Sequence, residues 1–103
     1  MYVSRLPFHV VPGQTTEVVN RLQQLETMIS HAGGGHCRIL RSHFGSDGAP
    51  DVVFEQEVTD LAELEKQIEA VTSRPEFQQW SQGMSPLLSR TPKREAYLVT
   101  APH

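Results

Sequence analysis

Residues 36–58 read HCRILRSHFGSDGAPDVVFEQEV and contain two strand-like runs separated by a loop rich in Gly, Asp and Pro. Apolar and polar residues alternate through both runs, which predicts two half-buried strands joined as a hairpin. The polar positions carry Arg41, His43, Glu55 and Glu57, where a water-facing sheet would usually carry Ser, Thr or Lys. These four side chains could do chemistry, join two subunits or simply meet water.

The residues before this segment predict a strand followed by a helix. Residues 2–11 are rich in β-branched and aromatic side chains, and a Pro-Gly pair ends them, which is typical of a strand. Over residues 15–32 apolar side chains recur at steps of three and four, which places one apolar stripe on a helix. The three glycines at 33–35 then end that helix, because glycine readily adopts the left-handed conformation found at helix C-termini.

The residues after the segment predict two helices and a last strand. Asp60 stands three positions before Glu63, the spacing of a capping box at a helix N-terminus. Pro75 suits the first turn of another helix, and Pro86 should interrupt its end. Residues 94–100 have the composition of a final strand.

This order of elements predicts a single α+β domain over residues 1–103. It is the ferredoxin-like βαββαβ arrangement with an extra helix before the last strand, built on a four-stranded antiparallel sheet. The usual strand order, 4-1-3-2, places the third strand between the first and the second. Both crossovers should be right-handed, so all helices cover one face of the sheet and leave the other face open.

The open face can be read from the alternation along each strand. It is predicted to carry a mixture of apolar and charged side chains: Val3, Val11, Ile39, Val53, Arg5, His9, Arg41, His43, Glu55 and Glu57. The two carboxylates would lie between basic residues of the neighbouring strands, and such cross-strand pairs attract. The mixture is too apolar for water and too charged for a dry core. We therefore expect a homodimer packed sheet against sheet, with Glu55, Glu57, Val53 and Ile39 in the interface.

Three segments resemble a known group, the dimeric α/β-barrel superfamily, and within it the NIPSNAP-like proteins. They are HVVPGQTTEVVNRL, SHFGSDGAPDVVFEQEVTDLAELEK and RPEFQQWSQGMSPLLSRTPKREAYL, and together they cover most of the chain. The resemblance implies a homodimeric barrel with a small-molecule pocket between sheet and helices. Relatives include cofactor-free monooxygenases of aromatic polyketides, cyclases, isomerases, haem-degrading enzymes and stress proteins, so the fold alone does not decide the function.

Several residues are candidates for a site, and each also has a structural alternative. His9 and His43 could act as acid or base near neutral pH, or could bond the glutamates in the interface. Arg41 or Arg5 could stabilise an oxyanion. The remaining candidates are aromatic side chains that could bind a ligand or pack in the core, Phe77, Trp80 and Tyr97.

The resemblance, taken with these residues, implies an enzyme that needs no cofactor and acts on a small aromatic or polyketide-like compound. Its reaction would be proton transfer, cyclisation, isomerisation or an oxygenation. One alternative is a non-catalytic ligand-binding or stress-associated protein. Another is a haem-binding member, although the segment SQGMSPLLSRTPKR after Trp80 contains no histidine.

Composition argues against other classes of partner. The net charge is −3 and the nine basic residues are scattered, which does not suit nucleic acid. No apolar run approaches the roughly 20 residues of a membrane helix. The spacing of His and Cys fits no metal site. The single Cys37 cannot form an internal disulfide, so we expect a cytoplasmic protein. We also expect it to work without a metal or a cofactor.

Overall fold

The computed structural model describes residues 1–101 and contains a four-stranded antiparallel sheet with helices on one face. The elements in chain order are β1 (Tyr2–Phe8), α1 (Thr15–His31), β2 (Cys37–Arg41), β3 (Val52–Val58), α2 (Leu61–Thr72), α3 (Pro75–Met84) and β4 (Glu95–Leu98). The strand order across the sheet is β2-β3-β1-β4. The predicted α+β, ferredoxin-like fold and its strand order are confirmed.

The helix boundaries follow the local sequence signals. The Asp60 carboxylate accepts a hydrogen bond from the Glu63 N–H at 2.8 Å, and the Glu63 carboxylate accepts one from the Thr59 N–H at 3.1 Å. The first bond satisfies an N–H group that the first turn of α2 leaves without a helical partner, and the second fixes the residue before the N-cap to the same turn. At the C-terminal end of α3, Pro86 lies in a short 3₁₀ turn, so the predicted interruption of this helix is confirmed.

The first two strands are shorter than the strands that the sequence predicts at residues 2–11 and about 36–45. β1 ends at Phe8, and beyond it Val10 forms only an isolated bridge to Leu88. β2 ends at Arg41, where the Ser42 N–H donates to the Asp51 carbonyl at 2.9 Å and closes the hairpin. The residue at which a strand ends depends on where its pairing partner ends, and the alternation of apolar and polar residues does not define that.

The core lies between the sheet and the three helices. It is formed by the apolar stripe of α1 and by the helix-facing side chains of β1 and β3: Val18, Leu22, Leu25, Ile29, Phe8, Val52 and Phe54. Val71 of α2 and Met84 of α3 complete it from the helical layer. The sets containing Phe8 and Phe54 therefore face the helices, as predicted.

The prediction for the faces of β2 was wrong. Ile39 lies opposite Phe54 and packs against the core, and Arg41 lies opposite Val52. Leu40 and Arg38 point to the open face instead, because they pair with Val53 and Glu55. The strand carries an apolar residue in each alternating set, so the pattern alone could not choose between them, and a shift of one residue exchanges the faces.

Candidate functional site

A cavity of about 480 Å³ lies between the helix-facing side of the sheet and the helices. β1 and β3 form its floor, and all three helices contribute to its walls. The segment that connects α3 to β4, residues 88–94, closes one end. It is the kind of concave, largely apolar site in which proteins bind small molecules.

Most of the cavity wall is apolar. Leu6, Phe8 and Phe54 rise from the sheet, and Phe77 and Trp80 face them from α3. The rings of Phe77 and Trp80 lie with centroids 5.5 Å apart and their planes tilted by 30°. Two neighbouring aromatic rings form a flat wall on which a planar ligand can stack.

One end of the cavity is polar, and we call its four residues, Ser4, Gln56, Gln67 and Arg94, the polar cluster. Ser4 and Gln56 lie directly opposite each other on β1 and β3 and are only 1% and 4% exposed. The Gln56 side-chain amide donates a hydrogen bond to the Gln67 carbonyl oxygen. The Arg94 Nη1 donates to the Ser4 hydroxyl oxygen at 2.5 Å. The cluster therefore presents amide and guanidinium groups to whatever occupies the cavity.

Two of the residues predicted to bind a ligand line this cavity, and two do not. Phe77 and Trp80 form the aromatic wall, and the Trp80 indole N–H also donates to the Arg21 carbonyl oxygen of α1 at 2.6 Å. Tyr97 and Arg5 belong to the other side of the sheet, since they pair with Val3 and Glu55. The cavity and the open face are thus separated by the sheet itself.

The residues predicted to be catalytic lie away from the cavity. His9 follows β1, and its Nε2 lies 3.0 Å from the Gly48 carbonyl oxygen, which can only accept, so this nitrogen donates. His43 lies exposed in the β2–β3 loop with its ring edge against Phe44, and Arg41 is the exposed last residue of β2. No hydrogen bond or ring contact joins these three among the described residues, and their catalytic role stays a prediction.

The open face carries only part of the charge network that the sequence suggested: Glu55 is paired, with Arg38 in place of Arg41, whereas Glu57 forms no ion pair among the described residues. Glu55 lies between Arg5 Nε, at 3.3 Å, and Arg38 Nη2, at 2.5 Å. Val53 and Glu57 share this face with Glu55, whereas Ile39 is on the helix side. Three of the four predicted interface residues are therefore on the surface available to a second sheet.

The polar cluster was missed because its signal is a polar residue at a core-facing position. Along β3 the helix-facing set is Val52, Phe54, Gln56 and Val58, and one amide interrupts three apolar residues. Ser4 interrupts β1 in the same way. A buried polar group needs a hydrogen-bond partner, so each interruption indicates further polar groups nearby. Gln67 and Arg94 are those groups here.

Metal and haem ligands are sparse in the part of the chain that the structure describes. No three His, Cys, Asp or Glu side chains of residues 1–101 are grouped as a metal-ligand set. Of the described residues that line the cavity, Met84 alone has one of the side chains that commonly ligate haem iron. In addition, no helix within residues 1–101 is long and apolar enough to span a bilayer.

The fold is shared with known structures, although no family model and no curated protein matched the chain. An uncharacterised NIPSNAP domain protein from Burkholderia xenovorans superposes with a TM-score of 0.79 at 18% identity, over 100% of both chains. SnoaB, a cofactor-independent oxygenase from Streptomyces nogalater, gives a TM-score of 0.63 at 16% identity, over 98% of this chain and 92% of SnoaB. An antibiotic biosynthesis monooxygenase gives 0.67 at 13% identity, over 98% and 100%. The chain therefore has the fold of the NIPSNAP-like and monooxygenase-like α/β proteins, as its sequence resemblance implied.

Proposed function

We propose that the protein binds a small oxygen-bearing aromatic compound in the cavity and oxygenates it without a bound cofactor. The observation that carries the proposal is the cavity, which has an aromatic wall and one cationic, hydrogen-bonding end. Its volume of about 480 Å³ falls within the roughly 300–1,000 Å³ of typical small-molecule sites. The cofactor-independent oxygenase and the monooxygenase of the same fold support this class of reaction.

A phenol suits this site because the substrate itself can supply the electrons. The hydroxyl proton leaves to water, and the resulting phenolate is stabilised by the Arg94 guanidinium. The electron-rich ring then reduces O2. One oxygen atom bonds to a ring carbon, the displaced ring hydrogen and the hydroxyl hydrogen leave with the other oxygen as water, and the product is a quinone. The protein's part is to orient the ring against Phe77 and Trp80 and to hold the developing negative charge.

A second candidate is a protein that binds such a ligand without turning it over. Of the described residues that line the cavity, none is His, Asp or Glu. The site therefore offers no side chain whose ordinary pKa suits acid–base catalysis at neutral pH, which disfavours cyclisation and isomerisation. Oxygenation remains compatible, since the acidic proton belongs to the substrate.

The test is oxygen consumption in the presence of a phenolic substrate such as 1-naphthol, with a chelator added to remove trace metals. We expect the wild-type protein to consume O2 above the background rate and to form a quinone. Arg94→Gln should lower that rate by roughly 10- to 1,000-fold, the range found when one oxyanion-stabilising group is removed. Lys93→Gln, which removes the neighbouring exposed charge outside the cavity, should leave the rate unchanged.

The outcomes separate the two candidates. Ligand binding measured by calorimetry without oxygen uptake would support the non-catalytic protein, and no binding of any aromatic compound would contradict both. His9→Ala and His43→Ala in the same assay test the catalytic role predicted from the sequence. Loss of turnover in either variant, without loss of folding, would indicate that the reaction takes place outside the cavity.

The proposal also includes a homodimer. The open face of the sheet carries the partly or fully exposed apolar side chains of Val3, Pro7, Leu40 and Tyr97 around the Glu55 network, which a second copy would cover. Such packing would form the barrel implied by the sequence resemblance. We also propose that the protein is cytoplasmic, because Cys37 is a free thiol and reduced cysteines persist in the cytoplasm.

A further inference from the structure

Arg94 extends its charged end to the floor of the cavity. Its Nη1 donates to the Ser4 hydroxyl at 2.5 Å, and Ser4 is only 1% exposed. Arg94 is exposed when the accessible surface of all its atoms is taken together. Its guanidinium nevertheless lies against the buried Ser4 hydroxyl. That contact, rather than the average over the residue, describes the environment of the charge. Within residues 1–101 this is the one hydrogen bond of the guanidinium, which has five N–H donors in all.

No carboxylate balances this charge in the described part of the chain. Among residues 1–101 four arginines, Arg5, Arg21, Arg38 and Arg74, each form an ion pair with a glutamate, whereas Arg41 and Arg90 form none. Arg94 forms none, and no acidic side chain lines the cavity. Burial lowers the pKa of the Arg94 guanidinium, as expected for a cation that has no nearby anion to balance its charge. A partly buried cation without an anion is costly, so an anionic ligand would gain from pairing with it.

The rest of the cavity restricts what else the ligand can be. Beyond the polar cluster the walls are mainly aromatic and aliphatic, with Leu6, Phe54, Phe77 and Trp80 among them. The remaining polar lining residues are Thr72, Ser81, Ser85, Ser89, Arg90 and Thr91. A small hydrophilic anion would leave these walls in contact with water, and a purely apolar compound would leave the guanidinium unpaired. The site matches a molecule with both features.

We propose that the ligand is an aromatic carboxylate, with its ring against Phe77 and Trp80 and its carboxylate paired with Arg94. Arg94 is then the residue that sets specificity, and Ser4 is a positioning residue that acts through it. The planar guanidinium can form two parallel hydrogen bonds to a carboxylate, a geometry that lysine cannot reproduce. This inference rests on the proposed function only in requiring that the cavity is the ligand site.

The experiment compares 1-hydroxy-2-naphthoate with its methyl ester, which has the same ring and hydroxyl but no charge. Calorimetry should show that the wild-type protein binds the acid at least tenfold more tightly than the ester, because charge-assisted hydrogen bonds are stronger than neutral ones. In Arg94→Gln this preference should disappear through loss of acid affinity, while the affinity for the ester should change much less. In Lys93→Gln, the matched control, the preference should be retained.

Arg94→Lys provides a second variant in case the glutamine variant does not fold. It keeps the charge but removes the two-pronged geometry, so the preference for the acid should fall several-fold without vanishing. Acid and ester binding equally to the wild-type protein would overturn the inference and leave the cavity as a ligand site. Binding of neither compound to a folded protein would instead contradict the proposed function, and the inference with it.

Discussion

Glu55 holds two cations of neighbouring strands on the open face of the sheet. Its side chain is 12% exposed and contacts Arg5 of β1 and Arg38 of β2. The hydrogen bond from Arg38 to Glu55 raises the pKa of the arginine above its usual value. A mostly covered carboxylate with two partners would be covered further by a second sheet. The Glu55 carboxylate would then remain paired in a dimer.

Cys37 should be an unreactive thiol in the native protein. Its burial, and then the negative charge of Glu26, raise the pKa of the thiol to about 11. The thiolate is the nucleophile, so at about pH 8 the native protein should react with iodoacetamide roughly 10- to 100-fold more slowly than the urea-unfolded chain.

The pH dependence of Cys37 modification follows from the same shift. Because the folded pKa lies above the unfolded value, the native rate should keep rising above pH 9 and approach its plateau only near the folded value of about 11. In that window the unfolded chain releases the thiol proton more readily, so this group lowers the stability of the fold as pH rises. Equal native and unfolded rates at about pH 8 would contradict the buried environment.

The candidate site was only partly predictable at the level of residues. Phe77 and Trp80 were found because a helical stripe of aromatic side chains must face the sheet. The polar cluster joins β1, β3, α2 and the residue just before β4, and its members are far apart in sequence. Local patterns show that Ser4 and Gln56 are polar where apolar residues belong. They do not show which distant side chains will meet them.

At the level of elements, β2 shows what alternation can and cannot establish. The apolar sets of β1 and β3 differ clearly from their polar sets, so their faces were predicted correctly. β2 offers Ile39 on one side and Leu40 on the other, and its register with β3 decides between them. Pairing Cys37 with Gln56 turns Ile39 to the core, a long-range choice that a five-residue strand does not encode.

Helix α3 is fixed to α1 by a single polar contact inside an apolar interface. The Trp80 indole N–H donates to the Arg21 carbonyl oxygen at 2.6 Å, while its ring packs beside Phe77. A buried indole N–H needs such a partner, and a carbonyl in the middle of α1 can accept a second hydrogen bond. This contact sets the position of the aromatic wall relative to the sheet.

Replacing Trp80 with Phe should loosen α3. The variant loses the hydrogen bond and part of the packed ring, and we expect the free energy of unfolding to fall by about 1–2 kcal/mol. Urea unfolding followed by circular dichroism measures this, since the only tryptophan is removed. Gln78→Ala, an exposed change on the same helix, should stay within about 0.5 kcal/mol of wild type. Equal effects of the two substitutions would show that the contact does not anchor the helix.

At the level of the whole molecule, the chain forms two layers rather than three. Its Cα atoms occupy a slab of about 36 × 35 × 18 Å, with helices on one side and the sheet on the other. A sheet covered on one face only must either present polar side chains to water or meet another layer. Here the uncovered face is mixed, and Leu40 and Tyr97 remain 36% and 49% exposed on it.

Leu40→Glu should therefore convert the proposed dimer to a single chain. Leu40 is exposed enough in the isolated chain to accept a carboxylate, but packing of a second sheet would bury that charge at a cost of several kcal/mol. Light scattering after size exclusion should give about 23 kDa for the wild type, twice the 11.6 kDa chain, and the single-chain mass for the variant. Leu61→Glu adds the same charge in the helical layer, where Leu61 is 43% exposed, and should remain dimeric. A wild-type mass of 11.6 kDa at micromolar concentration would mean that the open face meets water, and the dissociation of both variants would place the interface elsewhere.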